Sequence, residues 1–287
     1  MDGNVQWFPG HMAKTRRQIK ESLPQVDAVT ELLDARAAES SRNPELSALI
    51  GQKPRISLLN KCDLADERAT RLWISHLESA GVRALAVDCR SGKGLGAYNK
   101  AVRELLDSTI KSNVKRGMPG RPLRVMVVGI PNTGKSSFIN RMAGKYKAKV
   151  ADRPGVTRQN QWFPIGGGIE LLDTPGVLWP KFDDPKVGDR LAFIGSVKDD
   201  ILDSETMAVR LLEVLRAEYS DRLRARYGIE PDDFTTPFCL LEAVGKKRGM
   251  LVRGGETDTE RAANMILDEY RAGKFGRISL EWPPKSD

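Results

Sequence analysis

The sequence predicts an α/β domain with a mostly parallel sheet and helices on both faces, followed by a small all-helical C-terminal domain. Three observations carry this. Short β-rich apolar runs alternate with helical patterns as far as Leu172, the pattern of strand–helix–strand units in a parallel sheet. Loops rich in Gly, Asn and Asp follow those runs, at the strand ends where open α/β sheets bind ligands. Beyond Gly176 no strand alternation appears, and Met207, Leu211, Leu212 and Leu215 recur at helical spacing. The expected division is 1–178 for the first domain, 179–192 for a linker and 193–287 for the helical domain.

In chain order, Trp7-Phe8-Pro9-Gly10-His11-Met12 opens the fold with two aromatics and a Pro-Gly break, and Ala13–Leu23 reads as a basic helix. Asp27–Leu33 is a strand ending at Asp34-Ala35-Arg36, and Asn43-Pro44 starts a short helix to Ile50. Ile56–Leu59 is the next strand, Asp66–Ala80 an amphipathic helix, and Val82–Val87 a strand. A helix then runs to about Ile110, and the Gly-, Pro- and Lys/Arg-rich Lys111–Pro122 reads as a linker. Leu123–Val128 is a strand and Ser137–Met142 opens a helix. Lys145–Gln159 is a polar loop, and strands Asn160–Ile165 and Ile169–Leu172 flank Gly166-Gly167-Gly168, a hairpin signal. Val177–Gly188 is irregular, and helices are expected over Leu191–Tyr219, Thr235–Val244 and Thr257–Ala272.

The 287 residues can bury a full core. No apolar run approaches the ~20 residues that span a bilayer, and the N-terminus has no secretion signal. Three widely spaced cysteines, Cys62, Cys89 and Cys239, suit a reducing compartment and no disulfide or zinc framework. The expected protein is cytoplasmic, monomeric and free of membrane. Its net charge of +8 is uneven: residues 1–176 carry 28 Lys+Arg against 17 Asp+Glu, the remainder 18 against 21. A basic first part suits a polyanion such as RNA, or simply a solvated surface.

Gly129-Ile130-Pro131-Asn132-Thr133-Gly134-Lys135-Ser136, followed by Ser137, fits G-x-x-x-x-G-K-[ST] between a strand and a helix. Backbone N–H groups of Asn132–Ser137 can close on phosphate oxygens at the positive end of the helix. Lys135 would reach the β- and γ-phosphates and Ser136 would take a Mg²⁺ position. Asn60-Lys61-Cys62-Asp63 also follows a strand. The Asp63 carboxylate can accept from both the ring N–H and the exocyclic amine of guanine, a donor pair that adenine lacks. Lys61 would lay its stem over base and ribose, and Asn60 would tie this loop to the phosphate loop. Asp88-Cys89-Arg90 would bring a backbone N–H to the guanine O6, or is a mere turn. Asp173-Thr174-Pro175-Gly176 fits D-x-x-G: Asp173 would hold Mg²⁺ through water and Gly176 would sense the γ-phosphate, while Thr157 would add a hydroxyl to the metal.

The base loop precedes the phosphate loop, an inverted order that resembles the circularly permuted P-loop GTPases. Together with Trp7–Met12, Asp34-Ala35-Arg36, Arg42-Asn43-Pro44 and Gly129-Ile130-Pro131-Asn132, the chain resembles the bacterial ribosome biogenesis GTPase A family. The resemblance implies GTP and Mg²⁺ as ligands, action late in large-ribosomal-subunit assembly, and contact between the helical domain and ribosomal RNA. Arg222, Arg224 and Arg226, or Lys246-Lys247-Arg248 with Arg253, are candidates for that contact, or exposed charged faces. Many GTPases place a water-orienting Gln after D-x-x-G; here the position is Val177, then Leu178. The resemblance implies that His11 replaces it, although capping or packing suits that residue type equally. It likewise suggests a K⁺ ion beside Asn132, which also fits an ordinary loop. The catalytic set is thus His11, Lys135 and Thr157. A GTP-dependent RNA-binding switch with incidental hydrolysis and a kinase-type transferase are the competing readings; the latter is opposed by Asn60–Asp63 and Asp173–Gly176.

Overall fold

The computed structural model describes residues 9–144, 161–179, 182, 184–197 and 203–284, and for residues 9–12 the backbone alone. The chain forms two compact units, residues 1–182 with 281–287, and residues 183–280.

In the first unit the elements are α1 (Pro9–Ser22), β1 (Ala28–Asp34), α2 (Pro44–Ile50), β2 (Arg55–Asn60), α3 (Glu67–Ser79) and β3 (Arg83–Ala86). There follow α4 (Tyr98–Leu105), α5 (Asp107–Lys115), β4 (Leu123–Val128), α6 (Lys135–Ala143), β5 (Gln161–Pro164) and β6 (Ile169–Asp173). Strand order is β3-β2-β1-β4-β6-β5. Every pairing is parallel except β5 with β6, the expected hairpin. The chain builds outward from β1 to β3, then returns to place β4 on the other side of β1. That reversal makes the carboxyl ends of β1 and β4 a topological switch point.

Period-two alternation sends the strand side chains to two faces. Leu32, Leu58, Val125, Val127 and Leu171 pack with Tyr98, Val102, Phe138 and Ile139 of α4 and α6. On the other face Val29, Met126, Val128 and Leu172 meet Ile19, Leu46 and Ile50 of α1 and α2, and Leu33 and Leu59 meet Trp73 and Leu77 of α3. The Thr30 and Tyr98 hydroxyls, buried between β1 and α4, lie 2.6 Å apart. Helix starts follow the local chemistry: Asn43 accepts from Glu45 and Leu46 N–H groups, with Pro44 at the first helical position, and Asp66 accepts from Ala69 N–H. The helix expected to end near Ile110 is instead two, broken at buried Leu106, and α5 continues to Lys115. The expected linker at 111–122 therefore starts inside a helix.

The second unit holds α7 (Pro185–Phe193), α8 (Ser204–Tyr227, with a break at Tyr219), α9 (Pro237–Lys247) and α10 (Thr259–Arg271). Leu211, Leu212, Leu215, Leu240, Leu241, Val244 and Ile266 are fully buried. Arg271 donates to the Ala192 and Phe193 carbonyls at the end of α7. The expected linker 179–192 thus contains most of α7, whose start Asp184 caps by accepting from Lys186 N–H. Among the described residues no helix is long and apolar enough to cross a membrane.

Glu281 belongs to the first unit, although 193–287 was the expected extent of the helical domain. Its carboxylate, 8% exposed, accepts from Ser40 N–H (2.8 Å) and Ser40 Oγ (2.7 Å), and its carbonyl accepts from Trp73 Nε1 (3.3 Å). Hydrogen bonds to a buried charge are worth about 1.5–3 kcal/mol. Glu281→Ala is therefore expected to lower stability by about that amount in urea unfolding of the full chain. An unchanged midpoint would show that the returning segment contributes no anchoring.

Candidate nucleotide-binding site

The carboxyl ends of β1, β2, β4 and β6 deliver four of the loops singled out in the sequence to one edge of the sheet. Register places Asp34 opposite Asn60 and Val127 opposite Asp173. Asn60 is 3% exposed and bridges two other loops: its Nδ2 donates to the Thr133 carbonyl (2.7 Å), and its Oδ1 accepts from Cys89 N–H (2.9 Å). One carboxamide thereby joins the base loop, the phosphate loop and the 88–91 loop.

In the phosphate loop, Gly129 has φ +149°, and a Cβ there would lie 2.6 Å from the Leu32 carbonyl. Gly134 has φ +96°, and its Cβ would lie 2.2 Å from Asn60 Nδ2. Thr133 Oγ1 donates to the Ile130 carbonyl, closing the turn (2.9 Å). Lys135 is buried at the start of α6, its Nζ donating to the Gly129 (3.0 Å) and Ile130 (2.8 Å) carbonyls. Burial pushes its pKa down to about 8, against the opposing charge of Asp173. Ser136 and Ser137 are exposed, and Asn132 adopts a left-handed backbone at φ +62°.

Asp173 is 9% exposed; burial pushes its carboxyl pKa up, partly offset by Lys135 and by Thr174 N–H. Thr174 Oγ1 donates to the Val127 carbonyl (2.6 Å), fastening this segment to β4. A Cβ on Gly176 would lie 2.9 Å from Lys135 Nζ and 3.0 Å from Pro131 N, so the D-x-x-G backbone lies against the phosphate loop. A buried ammonium with only neutral carbonyl acceptors, beside glycines that leave backbone exposed, fits a phosphate anion. One carboxylate and one hydroxyl, Asp173 and Ser136, are donor types suited to Mg²⁺, which keeps waters and phosphate oxygens as its other ligands.

Lys61 has φ +59°, and its Nζ pairs with Asp34 Oδ2 at 2.9 Å. Asp63 is exposed in the same loop. The N–H groups expected to face the guanine O6 are engaged within the protein here. Cys89 N–H is taken by Asn60, while Arg90 and Ser91 N–H groups donate to the Asp88 carboxylate (2.8 and 3.2 Å), so Cys89 and Arg90 offer no free N–H. Asp88 is a turn-forming residue here rather than one that faces a base. Val177 and Leu178 are 4% and 5% exposed; Val177 packs in the α1–α2 core and its carbonyl accepts from Asn43 Nδ2 (3.0 Å). Thr157 lies outside the described residues, and His11 lies in the first turn of α1 with its side chain outside them. Asp34, which entered only through the resemblance, turns out to touch the base loop through Lys61, and Arg36 grips Asp34. Their signal in the sequence was position, a charged pair at the end of a strand.

The depressed Lys135 pKa has a binding consequence. A bound triphosphate favours the ammonium, so above pH ~8 binding must take up a proton that the unliganded lysine has lost. Triphosphate affinity is therefore expected to fall as pH rises through 8, with uptake approaching one proton, and this component should vanish in Lys135→Ala. Calorimetry in buffers of different ionisation enthalpy measures it; equal proton uptake in both proteins overturns it.

A family model described as "50S ribosome-binding GTPase" matches residues 124–224. It begins within the strand that leads to the phosphate loop and leaves Asn60–Asp63 outside, as a permuted order requires. Ribosome biogenesis GTPase A of Priestia megaterium is 45% identical over 286 residues, covering 99% of this chain and 98% of that protein. The Thermotoga maritima protein of the same name is 34% identical over 97% of this chain and 95% of its own length. Crystal structure of GNP-bound YlqF from T. maritima superposes with a TM-score of 0.67 at 30% identity, covering 95% of this chain and all of that one. With the permuted sheet, the paired base and phosphate loops and this full-length likeness, the chain belongs to the ribosome biogenesis GTPase A family, binding and hydrolysing GTP in ribosome biogenesis.

Proposed function

We propose that this GTPase is an assembly factor for the large ribosomal subunit, binding the precursor particle and its RNA in the GTP state and leaving after subunit-stimulated hydrolysis. The matching family, described as a 50S ribosome-binding GTPase, supports the choice of subunit. The observation that carries the nucleotide reading is the Asn60–Thr133 bond, which holds the two loops where one bound molecule can meet both.

In this reading Asp63 accepts from the guanine ring N–H and amine, and the Lys61 stem covers base and ribose. Asn132, Thr133, Gly134, Lys135, Ser136, Ser137 and Gly176 hold the phosphates. Ser136, Asp173 and Thr157 hold Mg²⁺, which supplies charge neutralisation at the phosphates when bound. Lys135 and the N-terminus of α6 supply fixed positive charge where negative charge develops. Val177 and Leu178 are in the core and cannot orient water, so the isolated protein hydrolyses GTP slowly. His11 takes that part when the particle is engaged, and Asn132 accompanies a K⁺ ion. The protein works in the cytoplasm as a monomer.

For RNA contact by the helical unit, Lys246, Lys247 and Arg253 are better placed than Arg224 and Arg226. The first three are exposed. Arg224 is engaged by Glu230 through two 2.6 Å bonds, and Arg226 grips Glu269 with both Nε and Nη2. An intramolecular carboxylate partner must be displaced before such an arginine can serve a phosphate.

Three experiments test the proposal. Asp63→Asn should lower the preference for GTP over ATP by ~10²-fold or more, since charged hydrogen bonds are worth about 1.5–3 kcal/mol each. Undiminished preference in competition binding rejects the base loop. His11→Ala should bind GTP normally yet lose ~10²-fold or more of the subunit-stimulated kcat. An unchanged stimulated rate removes His11; no stimulation of the wild type favours a binding switch with incidental hydrolysis. The same turnover assay in K⁺ and Na⁺ buffers decides the ion, equal rates rejecting it.

A further inference from the structure

We propose that Asp34 is a positioning residue for guanine-nucleotide binding: it anchors the tip of Lys61 so that the lysine stem forms a fixed platform for the base. This rests on the reading of Asn60–Asp63 as the base loop.

Parallel pairing of β1 and β2 brings Asp34 level with Asn60, so the residue after Asn60 leaves its strand beside the Asp34 carboxylate. Lys61 is one of two non-glycine residues with positive φ among those described. A left-handed backbone is unfavourable for a residue with a Cβ. The turn aims the side chain back across the end of β1, where Nζ meets Asp34 Oδ2 at 2.9 Å. The lysine is held at both ends, by a constrained turn at Cα and by an ion pair at Nζ. A free lysine side chain loses rotamer entropy when it is ordered, and ordering it before the nucleotide arrives removes that cost from binding.

Asp34 is suited to this because it cannot move. It is 0% exposed, and its N–H donates to Ser41 Oγ (3.0 Å). Arg36, itself 2% exposed, grips both carboxylate oxygens, Nε to Oδ1 and Nη2 to Oδ2 at 2.9 Å each, while Arg36 N–H adds a third bond to Oδ1. Burial alone would raise the carboxyl pKa; Arg36 and Lys61 overcome it and hold the group well below the usual carboxylate range. The anchor therefore stays ionised, and Arg36 fixes its plane so that Oδ2 points to Lys61. Arg36 supports the anchor, Asp34 is the anchor, and Lys61 is what the base would feel.

A double-mutant cycle on the full chain, read as Kd for a fluorescent GDP, tests this. Lys61→Ala should weaken binding about tenfold; wild-type affinity there would reject the platform reading itself, whatever Asp34 does. Asp34→Asn should weaken binding about fivefold alone but less than about twofold in the Lys61→Ala background, a coupling within the range found for contacting pairs. An equal loss in both backgrounds would mean that Asp34 acts only on the fold, and the positioning role would fall. Lys61→Met decides the matter even where Asp34→Asn fails to fold: it keeps the apolar stem and loses the anchor. Binding within about twofold of Lys61→Ala supports the proposal, and wild-type affinity overturns it.

Discussion

One side-chain amide sets the geometry on which the nucleotide site depends. Asn60 gives an N–H to Thr133 and takes one from Cys89, groups that are 73 and 29 positions away in the chain. Only a group that both donates and accepts can do this. An aspartate could not donate, and an aliphatic side chain would leave a buried carbonyl and a buried N–H unpaired at about 1–3 kcal/mol each. The bond also dictates a residue elsewhere. Gly134 must lack a Cβ because Asn60 Nδ2 occupies the space where it would be. The spacing of the phosphate loop and the identity of a residue on β2 are thus parts of one steric requirement.

Permutation leaves this arrangement intact because a sheet is held by lateral pairing, not by the order in which strands are synthesised. What changes is where the chain leaves. Here it departs from the D-x-x-G segment, fastened by Thr174 to β4 and by Asn43 to Val177, into the helical unit. It then comes back: Glu281 is seated on Ser40 in the loop that follows β1. The helical unit is consequently an insertion with two covalent connections to the first unit, not a tail with one.

Buried charge at that edge is arranged in two contrasting ways. Asp34 is surrounded by cations and stays ionised. Lys135 has carbonyls for partners and a more distant Asp173, so burial depresses its pKa to about 8. The first is a finished ion pair that holds shape. The second is an unfinished one, which the proposed phosphate would complete.

The amino-acid string determined the strands and several of the helices, because side-chain periodicity and Gly-, Asn- and Asp-bearing turns are local properties. The break at Leu106 and the helix α7 inside an expected linker were not legible in it. Leu123–Val128 as a strand and Pro44–Ile50 as a helix needed nothing beyond their own residues. Pairings between distant segments were decided only by the tertiary structure. That Cys89 spends its N–H on Asn60, that Asp34 holds Lys61, and that Glu281 returns to Ser40 all follow from which strand ends lie side by side. Hydrogen bonds and ion pairs act over about 3 Å, so their partners are chosen by the packed sheet, and no local pattern in the chain encodes that choice.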